Sequence, residues 1–172
     1  MTVADVAKAT GLLLVVSLLQ VTIMSSIEVA DGHPDLALVT LVAIALLRGP
    51  LLGAIVGFWA GLVIDFATLD AIGLTSLLLT AAGYGAGRFG EATSRTSPHP
   101  PLIAVALATV AVVLGSGLLH FMLGQSVSAG ELLGPVLLPT LALNLLLAHP
   151  VYRLTRRVFA ERLRDRREAV LV

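Results

Sequence analysis

From Leu36 to Ile64 the sequence carries a single charged residue, Arg48. No soluble domain accommodates an apolar stretch of that length, and as one helix it would overrun a hydrocarbon core about 30 Å thick. Gly49-Pro50 supplies the break, because proline cannot continue a helix and glycine permits a tight turn. The stretch therefore reads as a hairpin of two membrane helices, about 34–47 and 50–66. Pro34 and Pro50 each fall where a first helical turn tolerates proline. The first helix of the pair is short for a span, which makes it tilted, buried among neighbours or re-entrant.

Four more apolar segments are expected as helices, about 9–27, 72–87, 102–123 and 132–152. The first is no signal peptide on its charges, since Lys8 is opposed by Asp5 and further spans follow. A polar, proline-bearing loop separates the fourth from the fifth. Pro135, Pro139 and Pro150 are expected to bend the sixth. The fold class is thus all-α: a polytopic integral membrane protein, a compact bundle of six transmembrane helices. Residues 1–152 form the membrane domain and 153–172 a basic tail.

Charge fixes the orientation. Eleven basic residues balance eleven acidic ones, yet all the basic residues gather on one side and six of the acids on the other. Six spans gather Lys8, Arg48, Arg88, Arg95, Arg153, Arg156, Arg157, Arg162, Arg164, Arg166 and Arg167 on one side. Glu28, Asp31, Asp35, Asp65, Asp70 and Glu131 fall on the other, with no Lys or Arg. Five spans would destroy the separation. By the positive-inside rule both termini are cytoplasmic. Apolar residues make up 57% of the chain and charged residues 13%, about half the charge of a soluble domain. That excludes an ordinary soluble enzyme, a disordered chain and a nucleic-acid binder. With no cysteine there is no disulfide framework and no thiolate metal site.

No residue set announces catalysis, a cofactor or a metal. There is no nucleotide loop, no His-Glu-x-x-His and no nucleophile elbow. His33, His99, His120 and His149 are dispersed at no ligand spacing, so packed or interfacial histidines are the favoured reading. Gln20 and Asn144 are the polar groups set deepest in apolar helices, and each is expected to hydrogen-bond a neighbouring helix.

The packing signals are clearer. Gly53, Gly57 and Gly61 recur every four residues and Asp65 continues the series, which makes one slowly drifting stripe. Gly83 and Gly87 give a second pair on the next helix. Such stripes let backbones approach closely, within one chain in the first instance, in a homodimer or partner groove in the second. Asp65 ends the stripe where it can accept hydrogen bonds from Thr68 or from the amides opening the fourth helix. Trp59 lies about 200° from Gly57, hence on another face. The tail alternates Leu154, Val158 and Phe159 with the arginines from Arg153 to Arg167, a pattern suited to an anionic membrane surface.

Several of these residues carry a family likeness. His33-Pro-Asp35, Arg48-Gly-Pro50, Gly57-Phe-x-x-Gly-Leu-x-x-Asp65, Gly73-Leu and Gly83-x-Gly-x-Gly-Arg88 stand in an order that resembles the MreD family of rod shape-determining proteins. The resemblance covers about residues 33–88, and length, span count and a short basic tail agree with it. It implies Pro34, Asp35, Arg48, Gly49, Pro50, Asp65, Gly73 and Arg88 as motif residues. It further implies a non-enzymatic scaffold of the bacterial cell-wall elongation machinery in the inner membrane. The partners implied are MreC, a bitopic protein, and with it MreB filaments, RodA and its penicillin-binding transpeptidase, alongside membrane lipid. The competing reading is a solute-binding membrane subunit similar to those of energy-coupling-factor transporters, with Ala7 and Gly11 as its small-residue pair.

Overall fold

A computed structural model of the chain describes residues 3–22, 33–69, 72–93, 100–124 and 135–168. Six helices run through them: α1 (Val3–Thr22), α2 (Leu36–Arg48), α3 (Pro50–Thr68), α4 (Leu74–Ala92), α5 (Pro100–Met122) and α6 (Leu137–Glu168). Three segments are long and apolar enough to cross a membrane, Pro50–Thr68, Pro101–Met122 and Leu137–Phe159. Val6–Thr22 and Leu36–Arg48 are shorter apolar helices.

The centre of the bundle is α2. Ala37 to Ala45 are buried without interruption, which is what a helix apolar on every side requires. It packs against α1, α3, α4, α5 and α6. Burial among neighbours, one of the dispositions expected of so short a helix, is what the structure shows. Its ends are sharply defined. Asp35 caps the N-terminus by accepting from the Leu38 amide at 2.9 Å. Gly49, at φ 95°, ends α2, and Pro50 opens α3 directly behind it.

α3 and α4 form the tightest pair. The glycine stripe is what brings them together. A Cβ on Gly53 would lie 2.5 Å from the Gly83 carbonyl oxygen and 2.7 Å from the Ala45 Cβ. One on Gly57 would collide with the Leu79 backbone, one on Gly61 with Ser76, and one on Gly87 with Pro50. Across this seam the Ser76 hydroxyl donates to the Phe58 carbonyl at 2.9 Å. The stripe is therefore covered by the chain itself, and a homodimer through it would require opening α3 from α4.

α6 shows its inner face at helical spacing: Thr140, Asn144, Ala148, Thr155 and Phe159 are buried. The helix runs on through Pro150 to Glu168 without a break. α4 likewise extends past Gly87 to Ala92, because leaving the apolar layer does not oblige a helix to end.

Candidate functional site

The polar groups of the bundle converge on the entry to α2. His33, Pro34 and Asp35 are not helical, so their backbone amides and carbonyls need partners from elsewhere. Gln20 on α1 supplies two. Its Nε2 donates to the Pro34 carbonyl at 3.0 Å, and its Oε1 accepts from the Leu36 amide at 2.9 Å. From the other side Asn144 of α6 accepts from the Asp35 amide at 2.8 Å. The Asn144 amide then donates to the Thr109 hydroxyl of α5 at 3.1 Å. Thr140, one turn earlier on α6, accepts from the His33 amide at 3.3 Å. α1 and α6 are thus pinned to the non-helical entry of α2, and α5 joins them through Asn144. Ser17, one turn before Gln20, is buried with its hydroxyl oxygen unpartnered.

A second polar node closes the α3–α4 seam. Asp65 is fully buried. One carboxylate oxygen accepts from the amides of Gly73 at 2.8 Å and Ser76 at 3.3 Å, the other from Thr75 at 3.1 Å. It therefore caps α4 from α3, placing negative charge at the positive end of the helix dipole. Gly73 makes this possible by turning at φ 97°. Thr68 does not join the node and donates instead to the Ile64 carbonyl at 2.9 Å.

The basic end lies opposite. Arg48 sets its guanidinium 4.8 Å from the centre of the Phe159 ring, tying α2 to α6. Arg88 pairs with Glu91 at 3.4 Å, both well exposed. Arg153, Arg156 and Arg157 point outward from α6. Arg162, Arg164, Arg166 and Arg167 continue the same helix, but their side chains lie outside the described residues. So do Glu28, Asp31, Asp70, Arg95, His99 and Glu131.

Of the residues singled out for contact, Gly53, Gly57, Gly61, Gly83 and Gly87 are buried in the seam, while Trp59 is half-exposed on the outer face of α3. Trp59 meets Phe58 edge to face at 5.8 Å. Among the described residues no three His, Asp or Glu side chains come together as metal ligands. Chemically, both nodes fix backbone, and every polar contact in them runs from chain to chain. Thr109, Thr140 and Ser76 are the members that sequence reasoning missed. The one available signal was the four-residue spacing of Thr140 and Asn144.

A family model described as rod shape-determining protein MreD matches residues 7–158. The chain belongs to the MreD family. Its role is therefore rod-shape determination, and the family is one of membrane proteins. No curated protein and no solved structure gives a significant match to the chain. The MreD match takes in both polar nodes, the glycine seam and the Arg48–Phe159 level, and stops one residue short of Phe159 itself. The residues that carry the family likeness have structural tasks. Pro34 and Asp35 make the non-helical entry, Gly49 and Pro50 the turn, and Asp65 and Gly73 the cap.

Proposed function

We propose that this MreD-family chain is a non-enzymatic, multi-pass scaffold of the bacterial inner membrane. All six helices cross, both termini are cytoplasmic, residues 1–152 are the membrane domain and residues 153–172 a basic tail. It acts by binding MreC, and in that assembly it meets MreB, RodA and the penicillin-binding transpeptidase. The tail arginines, Arg153 to Arg167, rest on the anionic inner leaflet.

One observation supports this reading above the rest. The polar groups of the two nodes and the close-packing glycines are engaged within the chain, while aromatic side chains face outward. Phe58, Trp59 and Phe66 stand exposed on α3. That surface suits the single membrane helix of a bitopic partner, because aromatic faces add contact area where lipid offers no hydrophobic drive. At the α2 entry the Gln20, Thr140 and Asn144 side chains are engaged with the chain's own backbone, which favours the scaffold over the solute-binding alternative.

Co-purification tests it. MreC expressed with this chain is expected to copurify in mild detergent, and Trp59→Ala to weaken that recovery without changing the yield of the chain alone. Depletion of the chain is expected to turn rods into spheres. Cells that stay rod-shaped after clean depletion would overturn the scaffold reading.

A further inference from the structure

Beside the α2–α3 turn lies a cavity of about 460 Å³. Leu46 and Leu47 give it an apolar wall. Arg48 and Gly49 line it from the turn, Gly87 and Glu91 from α4. The size is that of a small-molecule site. Its depth follows from α3, which starts at this turn and rises about 28 Å over its 19 residues. The turn is therefore one hydrocarbon thickness from the far end of α3, at the level where lipid headgroups lie.

The two charges are held apart by different elements. The Phe159 ring fixes Arg48 from the side of α6. The Glu91 carboxylate reaches over the turn, with Oε1 3.6 Å from where a Cβ of Gly49 would stand. Its pairing with Arg88, at 3.4 Å and largely exposed, is of the kind that water competes with readily. A cation and a carboxylate lining one cavity beside an apolar wall, at headgroup depth, complement a group that carries both signs.

We propose that this cavity binds the headgroup of a zwitterionic aminophospholipid. The phosphate faces Arg48, the primary ammonium donates to Glu91, and the acyl chains leave along the apolar flank. An anionic headgroup would meet Glu91 with like charge. A choline headgroup has no N–H to donate to it. The inference rests on α3 crossing the membrane as proposed above but not on the partner, so it stands or falls apart from MreC.

The test is native mass spectrometry of the delipidated full chain, titrated with phosphatidylethanolamine, phosphatidylcholine and phosphatidylglycerol of equal acyl length. Phosphatidylethanolamine is expected to bind about tenfold more tightly than the other two. Glu91→Gln should abolish the preference, and Arg88→Gln should leave it intact. Arg48→Gln should weaken all three lipids. Since Arg48 also packs on Phe159, the exposed Glu91 variant carries the test if Arg48→Gln does not fold. Equal affinity for the three lipids, a preference for phosphatidylglycerol, or a preference that survives Glu91→Gln would each overturn the proposal.

Discussion

Asp65 accepts from three backbone amides while wholly buried, so removing its carboxylate takes the acceptor from all three. Hydrogen bonds to a charged acceptor contribute about 1.5–3 kcal/mol. Asp65→Ala is expected to lower the thermal midpoint in detergent by far more than Asp65→Asn, which keeps one acceptor oxygen. Equal melting of the two variants would show that the cap contributes nothing. Asn144→Leu should cost about 1–2 kcal/mol by freeing the Asp35 amide, measured in the same melts. How far these residues were legible follows from their chemistry. Gln20 and Asn144 announce themselves, because an amide side chain in an apolar helix must find a partner. Asp65 does so by ending a glycine stripe. Thr109 is silent, since a threonine can bond its own helix four residues back, and Thr140 is marked only by its four-residue spacing from Asn144. Which backbone the amides would seek was also hidden, because the unwound His33–Asp35 stretch is made by the bundle and not by its own composition.

At the scale of elements the α3–α4 pair was half visible. Four-residue glycine spacing on both helices predicts close approach, but it does not say which helix meets which. The Cβ collisions answer that, Gly53 against Gly83 and Gly87 against Pro50. Gly57→Leu is expected to abolish folded material in size-exclusion chromatography, because its Cβ would enter the Leu79 backbone. Gly85→Leu, one residue off that face with open space around it, should behave as the parent does. A folded Gly57→Leu variant would refute the seam. Helix lengths were less legible. The charges at Arg88 and Glu91 suggest an end that α4 ignores, and the sixth helix is expected to stop at 152, whereas α6 runs on through Pro150 to Glu168. Both features mark where apolar surroundings finish rather than where hydrogen bonding does.

For the whole molecule, the separation of charge makes a claim about sidedness. The chain has no cysteine, so single introduced thiols report cleanly. Leu69→Cys, at a position 90% exposed, is expected to react with an impermeant maleimide added outside intact spheroplasts. Ala92→Cys, exposed at the other end of α4, should react only after lysis. Labelling of both from one side would overturn the proposed topology. The bundle also imposes a timetable on its own synthesis. The Asp35 amide is satisfied by Asn144, 109 residues further along. While the ribosome is still making the middle of the chain, Gln20 and the Asp35 side chain are the described groups already in place at the mouth of α2. The helix that sits at the centre of the finished protein is therefore completed by the last helix to emerge, and any stall before α6 leaves an insertion intermediate with its core unsealed.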